Sequence, residues 1–223
     1  MALLTSNNNS NNNLDEVFHF PSSKNALIIF TRNPELGKVK TRLAATVGNE
    51  PALEIYKFLI SHIVEVSENI EVDKYVFYSE NIQENDAWDN SVFRKKLQHG
   101  DDLGIRMNNA FEQLFKMGYE KVVIAGSDIY ELTSEDIKDS FTALETDDFV
   151  MGPAKDGGYY LLGMKQLNSA VFRNKNWGTS TVFKYTMEEL KNEKVSLLAM
   201  KSDVDVYEDI ENVAVFQQFL KSE

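Results

Sequence analysis

Short apolar runs alternate with longer amphipathic stretches along the chain. Ala26 to Phe30 (ALIIF) is continuously apolar, the pattern of a strand covered on both faces. From Pro51 to Val66, the residues Ile55, Leu59, His62 and Val66 recur at helical spacing, and Pro51 suits a first turn. Lys74 to Tyr78 (KYVFY) reads as a second strand. Leu103, Met107, Ala110, Phe111 and Leu114 form another helical stripe, entered through Asp101 and Asp102 as caps. Lys121 to Ala125 (KVVIA) predicts a third strand, and Thr133 caps a helix whose third position is Asp136. Further strands are predicted over Phe149 to Met151 and Tyr159 to Leu162, separated by a Gly-rich turn. A helix from about Thr181 to Leu190, a strand over Val195 to Met200 and a closing helix from about Glu208 follow. The alternation implies an α/β fold with a mostly parallel central sheet covered on both sides. In such sheets ligands bind at the carboxyl ends of the strands.

Composition sets the outer bounds. A length of 223 residues suffices for one α/β domain with a full core, or two small ones. Residues 1–24 read as an Asn/Ser-rich, disordered tail and residues 25–223 as a single domain, because no internal linker or repeat interrupts the pattern. The formal net charge of -12 argues against general nucleic-acid binding, which needs a broad basic surface. Cysteine is absent, which excludes disulfides, thiolate zinc sites and cysteine nucleophiles and fits a cytoplasmic location. No apolar run approaches the ~18 residues of a membrane span, so no membrane insertion is expected. The amino terminus lacks the basic start and apolar stretch of a signal peptide.

Against this acidic background, TRNPELGKVKTRLA (Thr31 to Ala44) gathers Arg32, Lys38, Lys40 and Arg42 directly after the first strand. Pro34 and Gly37 turn the chain, and a helix predicted to begin near Val39 aims its amides back at the sheet edge. Cations around backbone donors make a phosphate site. The spacing matches neither a Walker A loop nor a G-x-G-x-x-G turn. The plainer alternative is a solvated charged turn. KVVIAGSD carries a buried strand into Gly126, Ser127 and Asp128, a carboxylate placed to hold Mg²⁺ against phosphate oxygens or simply to cap the next helix. Ser202-Asp203-Val204-Asp205 offers a second acidic group, or an acidic turn. Asp156-Gly157-Gly158-Tyr159-Tyr160 suits a hairpin turn that also lets backbone approach a ligand closely. Trp177, Gly178 and Thr179 line an acceptor pocket or bury a core Trp. His62 reads as a core residue, His19 belongs to the tail, and His99 adjoins the Gln98 segment; no Ser-His-Asp or zinc spacing emerges.

Four stretches, FTRNPELGKVKTRLA, QHGDDLGIRMNNAF, GSD at Asp128 and GPAKDGGYYLLG, with weaker support from WGTSTV and DVDVYEDI, carry a resemblance. The chain resembles the nucleotide-diphospho-sugar transferase superfamily (GT-A fold). More narrowly it looks like the bacterial, glycosyltransferase-like family associated with radical-SAM/selenodomain proteins. The resemblance implies a three-layer α/β/α sandwich. It implies that Arg32, Gly37, Lys38, Lys40 and Arg42 hold nucleotide phosphates, with Lys40 and Arg42 the main neutralising charges and Lys38 more solvated. Gln98, Asp102, Gly104 and Arg106 would wall the nucleotide. Asp156, Gly157, Gly158, Tyr159, Trp177 and Thr179 would face the acceptor. Asp128 and Asp205 would ligate Mg²⁺ or Mn²⁺, with Lys40 and Asp128 catalytic.

The resemblance implies fold more than reaction; the density of cations favours nucleotidyl transfer from an NTP to a phosphorylated small-molecule acceptor as the expected activity. The alternatives are glycosyl transfer from a nucleotide-sugar and a catalytically silent nucleotide-binding protein. The oligomeric state stays open, a homodimer included. Two departures stand out: Ile129 and Tyr130 follow Asp128 where the family has a small residue and Pro, and Val206 replaces the Thr of its Asp-x-Asp-Thr. Loss of the Pro is expected to loosen the turn around Asp128.

Overall fold

A computed structural model describes residues 20–220. It contains a seven-stranded sheet. The central strand β1 (Asn25–Thr31) pairs in parallel with β2 (Asp73–Tyr78) on one side and β4 (Lys121–Gly126) on the other. Beyond β2 lies β3 (Phe93–Leu97), also parallel. Beyond β4 comes β6 (Tyr159–Met164), antiparallel both to β4 and to β5 (Phe149–Pro153), and the sheet ends in β7 (Val195–Leu197), parallel to β5. The expected mostly parallel architecture is observed, with β6 as the reversed strand.

The apolar run of β1 divides by alternation between two cores. Leu27 and Ile29 face α2 (Asn49–Glu68) and α4 (Ser134–Thr146), meeting Tyr56, Ile60, Ile63, Ile137, Phe141 and Leu144. Ala26 and Ile28 face α3 (Leu103–Lys116), meeting Met107, Ala110, Phe111 and Leu114, with Leu190 after α5 (Val182–Glu189) in the same cluster. Helices on both faces complete the three layers. Each fully buried Leu, Ile or Phe contributes about 1.5–3 kcal/mol relative to exposure.

Helix α2 is apolar on a second side. Ile55 and Leu59 join Leu43 of α1 (Thr41–Val47) and Val204, Ile210 and Phe216 of the carboxyl-terminal segment. Of the stripe read from the sequence, Ile55 and Leu59 therefore serve the carboxyl-terminal segment, while Val66 joins Tyr56, Ile60 and Ile63 on the sheet side. Thr133 and Asp136 form the expected capping box, and Asp102 accepts from Ile105 N–H as the cap of α3.

Three elements differ from the sequence pattern. The edge strand β3 reads FRKKL, whose cations mask a strand. Arg94 and Lys95 instead half-bury their stems and reach Asp73 at 3.0 Å and Asp86 at 2.8 Å. In place of a closing helix from Glu208 there are 3₁₀ turns at Tyr207–Asp209 and Ala214–Phe216, then the short α6 (Gln217–Leu220). Asp209 accepts from the N–H groups of both Asp205 and Val206 at 2.8 Å, which closes the first turn. Strand β7 stops at Leu197 rather than Met200.

Most of the expected tail lies outside the described residues. From Ser22 onward the chain is tied to the amino edge of the sheet. Ser22 donates its backbone N–H to Asp73 at 2.7 Å, and Lys24 O accepts from Glu120 N–H at 2.7 Å.

Asp73 is 6% exposed and also accepts from Tyr119 OH at 2.6 Å. Burial works to raise its carboxyl, but donors from Ser22, Tyr119 and Arg94 outweigh burial and hold it below its ordinary 3.8. A depressed folded value contributes stability above the ordinary value and loses it as pH falls through the folded one. Asp73→Asn is expected to cost roughly 3 kcal/mol at pH 7. In denaturant titrations its deficit should shrink as the pH drops below about 4; a deficit independent of pH would contradict the ionic account.

Candidate active site at the carboxyl edge of the sheet

Phe30 and Gly126 are register partners, so β1 and β4 deliver the basic loop and the Gly126-Ser127-Asp128 turn side by side. One buried phenol joins them. Tyr56 OH, on α2, accepts from Arg32 N–H at 2.8 Å and lies 3.2 Å from Thr31 Oγ1, 3.2 Å from Arg32 O and 3.1 Å from Ser127 Oγ. Asn33, also buried, donates to Asn81 O at 2.7 Å and accepts from Glu80 N–H at 3.0 Å, which ties the basic loop to the chain after β2.

Lys40 and Asp128 meet at this edge. Lys40 Nζ donates to Asp128 Oδ2 at 2.8 Å and stands 4.0 Å from Asp205 Oδ1. The Lys40 side chain is 6% exposed, while Asp128 is more open at 38%. Arg42, largely exposed, pairs with the other oxygen of Asp205. Burial works to raise the Asp128 carboxyl; the Lys40 ammonium outweighs it and, with a contribution from Arg32, holds the group below the usual carboxylate range. Asp203 goes the other way: burial raises it, and the charges of Asp128 and Asp156 raise it further. The acidic segment after β7 thus presents Asp205 to cations and Asp203 to carboxylates.

The expected helix start near Val39 is displaced. Val39 is buried at 3% exposure, and α1 begins at Thr41 with no side-chain cap. Lys40 precedes it with φ 48° and ψ 43°, the left-handed region that a residue with a Cβ seldom occupies. Helix α1 has only seven residues. Lys38 is exposed and paired with Glu35 at 2.6 Å, and Gly37 is exposed beside it.

Packing secures the Asp128 turn despite the missing Pro. Ile129 is buried in the core. Tyr130 packs against Phe58, His62 and Phe216 at centroid separations of 5.8, 5.1 and 5.2 Å. Asp128 O accepts from Val204 N–H at 3.1 Å. His62 forms its own bond of 2.9 Å with Leu132 O, as a core residue should.

The Gln98 segment is engaged internally. Gln98 Nε2 donates to Phe77 O at 2.9 Å and Thr31 O at 3.2 Å, bracing the ends of β1 and β2. Arg106 Nε donates to Gly100 O at 2.9 Å. A methyl group at Gly104 would collide with Phe172 O and lie 2.6 Å from Trp177 Nε1, so Gly104 admits the indole. Trp177 in turn meets Tyr159 edge to face at 6.4 Å. The walls expected to hold nucleotide and acceptor therefore share an aromatic seam.

Asp156 Oδ1 accepts from Gly158 N–H at 2.8 Å, closing the hairpin turn. Gly157, at φ 89°, packs where any side chain would strike the Ser180 backbone. Thr179 Oγ1 donates to Asn176 O at 2.8 Å. Two cavities lie outside the Lys40–Asp128 cluster. One, of about 280 Å³, is lined by Arg32, Pro34, Ile60 and Trp88; the other, of about 250 Å³, by Phe77, His99, Arg106 and Asn109.

Comparison with known proteins bears on the family and the fold. The model of a family of uncharacterised proteins conserved in bacteria, DUF2064, matches residues 62–179, more than half of the chain, and the chain belongs to that family. Among curated proteins there is no sequence match. A crystal structure from Desulfovibrio desulfuricans G20, provisionally assigned as a nucleotide-diphospho-sugar transferase, is 29% identical with a TM-score of 0.80, covering 89% of this chain and 94% of that one. The fold is also shared with 4-diphosphocytidyl-2C-methyl-D-erythritol synthase from Anaerococcus prevotii (13% identity, TM-score 0.53, 87% and 96% covered). It is shared as well with CMP:2-keto-3-deoxy-manno-octonic acid synthetase in complex with CTP (10%, 0.52, 88% and 99%). The three-layer fold is thus that of the nucleotide-diphospho-sugar transferase superfamily.

Tyr56 and Asn33 are the site-forming residues that the sequence pattern did not single out. Tyr56→Phe is expected to leave the fold intact while costing about 1–3 kcal/mol, because Arg32 N–H loses its buried acceptor. Unchanged stability would contradict the role of the phenol as the joint between the two loops.

Proposed function

We propose that this family member is a cytoplasmic, Mg²⁺-dependent transferase acting on a nucleotide, with nucleotidyl transfer as the favoured reaction. The observation that carries the reading is the Lys40–Asp128 pair at the carboxyl edge, flanked by Arg32 and Arg42 in a chain of net charge -12. The CTP complex of the CMP:2-keto-3-deoxy-manno-octonic acid synthetase, which shares the fold, supports a triphosphate as substrate.

In this reading the triphosphate lies along Arg32, Lys40 and Arg42. An acceptor phosphate oxygen bonds to the α-phosphorus while the bond from that phosphorus to the bridging oxygen breaks, and pyrophosphate leaves with the electron pair. Lys40 and the arginines neutralise charge that grows on the phosphoryl oxygens, and little covalent chemistry falls to the protein. Gln98 and Tyr56 keep the strand ends from shifting under the load.

A hard divalent cation fits the residues present. Carboxylate oxygens are its preferred donors, and the Lys40 ammonium already stands between Asp128 and Asp205. Asp128 and the acidic segment after β7 would hold the ion. Burial, and after it the charges of Asp128 and Asp156, raise the Asp203 carboxyl, and a cation would relieve the charge repulsion. When bound, the ion would supply charge neutralisation at the phosphate oxygens.

Glycosyl transfer from a nucleotide-sugar is the second reading. The relative at 29% identity favours it, as does the Tyr159–Trp177 seam, an apolar face suited to a sugar ring. Thermal-shift measurements with NTPs and nucleotide-sugars, with and without Mg²⁺, followed by product analysis, separate the two. Stabilisation by one NTP with pyrophosphate release supports nucleotidyl transfer, and release of a nucleoside diphosphate supports glycosyl transfer. Asp128→Ala is expected to lower the rate by roughly 10²–10³. Failure of every nucleotide to stabilise the wild type would contradict both.

A further inference from the structure

We propose that Lys40 is an internal stand-in for the divalent cation. In the nucleotide-free protein its ammonium holds the place against Asp128 and Asp205, so the carboxylates accept a metal ion only once phosphate draws that ammonium away. The inference rests on the transferase reading above and adds an order of events to it.

Nζ stands 2.8 Å from Asp128 and 4.0 Å from Asp205, on a side chain that is 6% exposed. Arg42 takes the remaining oxygen of Asp205. Asp128 and Asp205 thus each face a cation, with Asp203 adding negative charge nearby, and an approaching Mg²⁺ meets paired carboxylates and like charges rather than two free anions. At such separations like-charge repulsion in a partly buried site is large compared with thermal energy.

The backbone that carries the two carboxylates is well fixed. Asp128 is held through Val204 and the buried Ile129, and Asp205 through its N–H to Asp209. The ammonium, by contrast, sits on a flexible four-carbon stem. That stem starts between the basic loop and α1, and its rotation would carry the charge from carboxylate to phosphate. A triphosphate arriving along Arg32 offers the ammonium a new partner and uncovers the carboxylates at the same moment. Metal and nucleotide would then enter as a unit, and the free protein would not carry an idle metal.

The test is a titration of the nucleotide-free, full-length chain with Mn²⁺ alone, read by loss of the free-ion electron paramagnetic resonance signal. Lys40→Met removes the charge. Lys40→Gly does so while also suiting the left-handed backbone, and guards against misfolding in the first variant. Both are expected to bind Mn²⁺ at least about tenfold more tightly than wild type, equivalent to about 1.4 kcal/mol. Adding Asp128→Asn to either should abolish the gain. Equal affinity in wild type and both variants, or a gain that survives loss of the Asp128 charge, would overturn the proposal. The outcome is independent of catalysis: a wild type that ignores every nucleotide would sink the functional reading, whereas the Mn²⁺ comparison would still decide whether Lys40 blocks the site.

Discussion

Lys40 and Asp128 are 88 positions apart, and their contact is the constraint around which the edge of this protein is arranged. Partly buried, the ammonium needs the carboxylate, and the carboxylate, held low by that ammonium, needs the cation. Neither position is satisfied unless β1 and β4 lie side by side in parallel. The sheet supplies that alignment, and Tyr56 locks it by bonding to both loops from behind. The favourable charge pairing is therefore bought by the burial of the two apolar faces of the sheet, which carry no chemistry of their own.

The same arrangement leads from structure to chemistry. Under the proposal, a polyanion would divide the Lys40–Asp128 pair, taking the cations and freeing the carboxylates. Phosphoryl chemistry asks for little more than this placement of charge. Away from that pair, Gly104 admits the indole of Trp177, which meets Tyr159 edge to face.

Much of the scaffold could be read from the sequence, since ALIIF and KVVIA encode their burial in adjacent residues, as do the caps at Asp102 and Thr133. FRKKL could not, because Arg94 and Lys95 are satisfied by Asp73 and Asp86, pairings that hydrophobic periodicity does not register. The end of the chain looked helical by periodicity, but Ile210 and Phe216 pack onto α1 and α2 through turns closed by Asp209. At the site, Lys40 and Asp128 were legible from charge and position, as was the solvated state of Lys38. The pairing of Arg42 with Asp205 and the hub at Tyr56 were not. Both arise from contacts across the fold, and Tyr56 looks like any other apolar-face aromatic on a helix. The loosening expected from the absent Pro after Asp128 is countered by Ile129 and Tyr130, whose packing takes over the restraint.

The most direct measurement is a crystal structure of the chain with a non-hydrolysable triphosphate and Mg²⁺. The account predicts phosphate density between Arg32 and Lys40, with Lys40 Nζ withdrawn from Asp128 and a metal ion in its place. Phosphates bound elsewhere, or bound with the Lys40–Asp128 contact unbroken, would contradict it.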